Sequence, residues 1–170
     1  WGSEEQGLNG SRAFVIDHPE IVQNIQAVFN QDGGTGRLNF INGAGFLHGY
    51  DFLSRWLSAI PKDVGSEIQA SYPGAPSSGG SDNASFLPAG IPSYYLGTVN
   101  WDYGTVTWHT NLDTYDKIVF HDLVASASAV SILAYMASEE PELVSREKIK
   151  LPGNTKWPQP GLPNRKGGVE

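Results

Sequence analysis

Apolar and polar residues change period several times along the chain, and each change marks an element. Gly10–His18 reads as a short helix, opened by Gly-Ser and closed by Pro19. Ile21–Asn30 is rich in Ile, Val, Phe and Gln and predicts a strand, most clearly over Ile25–Phe29. Asp32-Gly33-Gly34 is a turn signal leading into a return strand at Arg37–Ile41, so a hairpin is expected. In Tyr50–Ile60 the apolar residues Phe52, Leu53, Trp56, Leu57 and Ile60 fall at helical spacing, and Pro61 ends the run. The stretch between Tyr72 and Gly80 is a loop by composition; Ser85–Ala89 reads as a helical turn and Pro92–Leu96 as a short aromatic strand. Asp122–Ser138 is the clearest helix. Asp122 is its expected N-cap or first-turn anion, and Leu123, Ala127, Val130, Leu133 or Ala134, and Ala137 are its expected buried face.

Strands interleaved with helices favour an α/β layer fold over a sandwich or a bundle. At 170 residues the chain is one domain or most of one, read as a body over 1–150 and an irregular Pro/Gly-rich tail over 151–170. A net charge of −7 disfavours nucleic acid and anionic lipid as partners. The chain has no cysteine, which excludes disulfides, thiolate metal sites and cysteine nucleophiles. The longest mostly apolar stretch, Leu123–Ala137, is interrupted by serines, so no membrane span is expected. The chain opens with Trp1 and shows no signal peptide, which leads to the expectation of a mature or truncated N-terminus.

Four polar clusters stand out from this scaffold. In Trp1-Gly2-Ser3-Glu4-Glu5-Gln6-Gly7-Leu8, adjacent carboxylates point in different directions, so one can bind a cation while the other handles a proton. The same pair also serves a helix N-terminus as plain favourable charge. Asn30-Gln31-Asp32-Gly33-Gly34 places an acid at the carboxyl end of a strand, where open α/β sheets bind ligands, though a turn explains it equally. Ser81-Asp82-Asn83 reads as a turn or cap, and Trp108-His109-Thr110-Asn111-Leu112-Asp113-Thr114 sets a histidine after a strand. His18, His48 and His121 lack such surroundings and are read as ordinary surface residues.

Taken in order, these clusters resemble the di-zinc aminopeptidase/carboxypeptidase family, which includes bacterial secreted aminopeptidases, carboxypeptidase Q and glutamate carboxypeptidase. The resemblance covers Trp1 to about Glu140 and rests chiefly on Trp-Gly-Ser-Glu-Glu-Gln-Gly-Leu and Trp-His-Thr-Asn-Leu-Asp-Thr. It implies an αβα fold with a mixed, mostly parallel central sheet, and a zinc-dependent exopeptidase acting on peptide substrates. By resemblance, Glu4 is the general base and proton shuttle. Glu5 and His109 are ligands of one zinc and Asp32 of the other, while Asp82 and Asp113 are supporting carboxylates. Zinc accepts these donor types and acidifies water, which suits such a base.

Departures from the family pattern carry their own expectations. The family has a His and a metal-bridging Asp upstream of the Glu-Glu pair, and neither is present, so the chain reads as the C-terminal portion of a longer peptidase. It is expected to bind zinc weakly and to hydrolyse little alone. The missing N-terminal portion would be its natural partner, and self-association through an exposed sheet edge is the substitute. Trp108 stands where several relatives carry an oxyanion-donating tyrosine, and Tyr94, Tyr95 or Tyr103 could take that role. Tyr72–Ser81 and Asn100–Thr107 are the expected pocket walls. Family habit implies a secreted or periplasmic protein. The alternatives are a non-catalytic peptidase-like ectodomain, a glutaminyl cyclase-like zinc enzyme, or an aromatic carbohydrate-binding surface, the last disfavoured by reading Trp56 as buried and Trp101 as a strand residue.

Overall fold

The computed structural model describes residues 1–77 and 80–164, so part of the expected 72–81 wall and the last residues of the tail lie outside the described residues. Its elements are α1 (Asn9–Asp17), α2 (Pro19–Val22), β1 (Val28–Gln31), β2 (Leu38–Asn42), α3 (Gly49–Ser58), α4 (Lys62–Gly65), β3 (Gln69–Ser71), β4 (Ser93–Thr98) and α5 (Phe120–Glu139). The strands form one sheet in the order β1-β4-β2-β3. β4 runs parallel to β1 and antiparallel to β2, and β3 runs parallel to β2, a mixed and mostly parallel arrangement.

The expected hairpin is absent. β4 lies between β1 and β2, so the chain from Asp32 to Gly36 steps over a strand instead of turning back beside its own. Gly36 makes that step possible, because a Cβ there would collide with the Val99 backbone carbonyl. The first part of the expected long strand is the helical turn α2: Pro19 sits at its first position, where a missing N–H costs nothing.

Strand alternation sorts the core. Phe29, Tyr94 and Leu96 join Leu38, Ile41, Leu53, Trp56, Ala129 and Leu133 on one side, beneath α3, α4 and α5. Val28 points the other way and packs with Phe14, Val15, Val22, Phe86 and Ile91, which brings α1 to the opposite side. Helices thus cover both faces, in the αβα sense expected. β1 has a sheet neighbour on one side alone among the described residues.

α5 begins two residues earlier than its pattern indicated, and Val119 rather than Asp122 precedes it. Asp122 sits in the first turn, where it accepts hydrogen bonds from the Arg37 backbone N–H (3.2 Å) and Trp101 Nε1 (2.8 Å). The buried face runs through Ala125, Ser126, Ala129, Leu133 and Ala137, and Ala127 is exposed instead. The helix is long and apolar enough to cross a membrane by length and composition alone. Its serines interrupt the run less than they appear to, since Ser128 and Ser131 hydroxyls donate back to the Val124 and Ala127 carbonyls (2.8 and 2.7 Å). Here its buried stripe packs on β2, and Ser126 Oγ accepts from the Leu38 N–H and donates to the Gly36 carbonyl.

Candidate active site

β1 and β4 are adjacent and parallel, so their carboxyl ends lie together. Asp32 follows β1 directly, and the loop that carries Trp101, Tyr103 and His109 follows β4. This is the edge at which open α/β sheets bind ligands, because the chain there leaves the ladder and frees side chains and backbone groups.

The Glu4–Glu5 segment reaches the same edge through a tight knot of backbone hydrogen bonds. Gly7 and Leu8 N–H groups donate to the Glu4 carbonyl (3.0 and 2.8 Å), Asn9 N–H to Ser3 (3.1 Å) and Gly10 N–H to Gly2 (3.0 Å). Ser3 and Leu8 hold left-handed backbone with φ of 58° and 62°, a conformation that side chains other than glycine adopt only where the surroundings enforce it. Burial of Leu8 supplies that enforcement. His109, across the site, is also left-handed (φ 57°).

Side chains far apart in sequence meet here. His109 Nε2 lies 3.0 Å from Glu5 Oε1, with both side chains largely exposed. Glu4 is half-buried beside them. Burial raises its carboxyl above the ordinary range, the charges of Asp32, Glu5 and Asp82 raise it further, and His109 opposes them. One neighbourhood therefore contains Glu4, Glu5, Asp32, Asp82 and His109.

The loop after β4 is pinned at both ends of its turn. Tyr103 Oη donates to the Asp32 carbonyl (3.0 Å), and Trp101 Nε1 donates to Asp122 on α5. Trp101 is an exposed turn residue, not the strand residue expected, and its ring edge serves as a tether. Trp108 is exposed, its ring 4.5 Å from that of His109. Asp82 is buried in a short 3₁₀ turn whose Ser81 Oγ accepts from Asn30 Nδ2 (2.6 Å) and whose Ser85 Oγ pairs with Ser11 Oγ (2.8 Å). The turn from Ser81 to Ser85 thus brackets β1 against α1. Asp113 is exposed and lines, with Asp32, Trp101 and Tyr103, a cavity of about 530 Å³. Asn100–Thr107 contributes to that wall, whereas none of the described residues of the 72–81 segment lines it. Of the three tyrosines considered as oxyanion donors, Tyr94 is fully buried on the side of the sheet that α3 and α5 cover and is removed from the site. Tyr95 and Tyr103 remain, and each hydroxyl is raised by burial and by the Asp32 charge.

The donor types suit zinc, and one pair is already brought together. Two ligands of a tetrahedral zinc at about 2.0–2.2 Å stand roughly 3.4 Å apart; Glu5 and His109 stand at a hydrogen-bond distance of 3.0 Å and would have to part slightly to take a metal between them. No group of three or more histidine or acidic side chains among the described residues is close enough to hold a metal, so this pair is a partial ligand set. Sequence reasoning did not single out Asn9, nor the tethering roles of Asn30 and Trp101 within segments it had marked, because amide and indole tethers to distant partners leave no periodic signal.

The model of Peptidase family M28 matches residues 1–134. Among solved structures, the chain is similar to a peptidase M28 precursor from Shewanella amazonensis SB2B, with a TM-score of 0.70 and 20% identity. That likeness covers 85% of this chain and 31% of the other, so the chain spans about a third of the relative's length. No curated protein matches it. With the αβα layers, the strand-end site and the family match over most of its length, the chain belongs to peptidase family M28.

Proposed function

We propose that this chain is the part of a zinc-dependent exopeptidase that carries the general base and one side of the metal site. The observation that carries the reading is the direct contact of Glu5 with His109 beside a half-buried Glu4 whose proton affinity is raised. When bound, zinc supplies Lewis acidity, making water acidic enough to be deprotonated near neutral pH and polarising the scissile carbonyl.

Glu5 and His109 would hold the metal from this chain, with Asp32 facing a second. Glu4 would accept the proton of the attacking water on a carboxylate oxygen and deliver it to the leaving amine nitrogen. Burial, with the charges of Asp32, Glu5 and Asp82, raises its proton affinity above that of an ordinary carboxylate, the direction that suits a group which must take up a proton and pass it on. Tyr103 or Tyr95 would donate to the developing oxyanion, and the cavity beside Asp32 would seat the substrate end. The remaining ligands, which the family resemblance gives as a His and an Asp, would come from other residues of the peptidase, and the open side of β1 is where the rest of such a sheet would join.

Zinc titration coupled to hydrolysis of aminoacyl and carboxyl-terminal dipeptide substrates tests this. The reading expects weak zinc binding by these residues alone, and chelator-sensitive hydrolysis once the chain is joined to the missing ligands. Hydrolysis that survives both chelation and Glu4→Gln would overturn it.

A further inference from the structure

Residues 151–164 form no helix or strand, yet they are tied down at two widely separated places. The first is Trp157. Its Nε1 donates to the Ile149 carbonyl (2.9 Å), its ring meets Phe46 edge-on at 5.7 Å, and Lys148 Nζ stands 4.7 Å from its centroid. Gly45, at φ 83°, admits the indole: a Cβ there would lie 2.9 Å from it. The base of this anchor is secured by the Leu47 N–H to Glu147 and Ile149 N–H to Gly45 hydrogen bonds, both 2.9 Å.

The second place is the start of α1. Gly161 lies against Arg12, so closely that a Cβ would come within 2.6 Å of the guanidinium Nε. Three residues later the Asn164 N–H donates to Asn9 Oδ1 (2.7 Å). The other end of the same amide, Asn9 Nδ2, donates to the Gln6 carbonyl (3.0 Å), one residue past Glu5. A neutral side chain with one acceptor and one donor thus joins the C-terminal segment to the loop that carries the acidic pair.

We propose that residues 151–164 act as a strap, anchored at Trp157, that holds the Glu4–Glu5 loop in register through Asn9, making Asn9 a positioning residue for the site. The strap lies beyond the stretch shared with the family, and its chemistry is that of a clasp rather than a ligand. Its functional consequence rests on the peptidase reading, but its physical content does not. A loop of seven residues with an exposed carboxylate and two left-handed residues opens locally unless something outside it removes that freedom.

Native-state hydrogen exchange of the full chain, without added metal, tests the strap independently of catalysis. The amides of Gly7, Leu8, Asn9 and Gly10 report the loop, and those of Ala129 and Leu133 report the α5 core. Trp157→Ala and Asn9→Ala should each speed exchange of the loop amides at least tenfold while leaving α5 unchanged. Trp157→Phe, which keeps the ring against Phe46, should restore most of the protection. Should Trp157→Ala loosen α5 as well, Gly161→Val decides the matter, since it pushes the strap off Arg12 without touching the anchor. Loop amides that exchange at the wild-type rate in Gly161→Val and Asn9→Ala overturn the strap. A strap that holds while Glu4→Gln leaves hydrolysis intact overturns the peptidase reading instead.

Discussion

His109 Nε2 and Glu5 Oε1 stand 3.0 Å apart across 104 positions of sequence, and neither side chain is buried enough for the contact to matter to folding. Exposed ion pairs contribute about 0–1 kcal/mol, screened further by salt. A double-mutant cycle with Glu5→Gln and His109→Gln should therefore return a coupling below about 1 kcal/mol in unfolding free energy. The same substitutions should weaken zinc binding by at least about 100-fold, the upper range seen when even supporting groups are lost. Urea unfolding and zinc titration on the four variants separate the two quantities.

Among the described residues the Glu4 carboxylate makes no hydrogen bond or ion pair within contact distance, and His109 acts on it only through its charge. Glu4→Gln keeps shape and removes the base, so stability and zinc content should hold while kcat in the complete peptidase falls about 10²–10⁴-fold. Steady-state kinetics with metal analysis checks this; an equal loss of metal would assign Glu4 to coordination.

Asp122 gives the fold a defined acid sensitivity. The Trp101 N–H bond is the largest influence holding its carboxyl below the ordinary range; burial works against this, and the Arg37 N–H, His121 and the Arg37 charge add to it. The folded-state pKa is thus lower than the unfolded one, and the stabilisation is fully present above the unfolded value of about 3.9. It is lost as pH falls through the folded value. Urea midpoints should drop as pH falls below about 4, and Asp122→Asn should be less stable at neutral pH with a shallower drop. Because Trp101 and the loop leading to His109 hang on Asp122, that variant should also release Trp101, read as a fluorescence shift.

Leu133 is fully buried among Ile41, Trp56 and Leu96, whereas Ala127 on the same helix is exposed. Leu133→Ala should cost about 2–5 kcal/mol. Ala127→Ser should stay within about 0.5 kcal/mol of wild type. Chemical denaturation of the pair distinguishes this packing from the face that the sequence pattern indicated.

Elements with a strong local signal were legible from sequence. The Phe52–Leu53–Trp56–Leu57 spacing and the Ile-Pro-Ser-Tyr-Tyr-Leu strand appear where their patterns place them. What failed was pairing, which is not a local property. Asp32-Gly33-Gly34 resembles a hairpin turn, yet β4, more than fifty residues on, takes the place beside β1 because parallel pairing buries Tyr94 against Phe29. The buried face of α5 was read only in part: Leu133 and Ala137 are buried as expected and Ala127 is not, because alanines and serines fill both sides and the stripe that meets β2 is set by the sheet and not by hydrophobic contrast. At the site, Glu4, Glu5 and His109 were legible as residue types in a familiar order. Their tethers were not: Asn9 to Gln6, Tyr103 to Asp32 and Trp101 to Asp122 join segments whose nearness only folding creates.

In the proposed site Glu5 and His109 hold one cation between them, with Glu4 beside it. Anomalous diffraction at the zinc edge, from crystals soaked in millimolar zinc, tests it most directly. The account predicts a peak about 2.0–2.2 Å from a Glu5 carboxylate oxygen and His109 Nε2, with Glu4 uncoordinated. A zinc peak held by other residues, with Glu5 and His109 still bonded to each other, would contradict it.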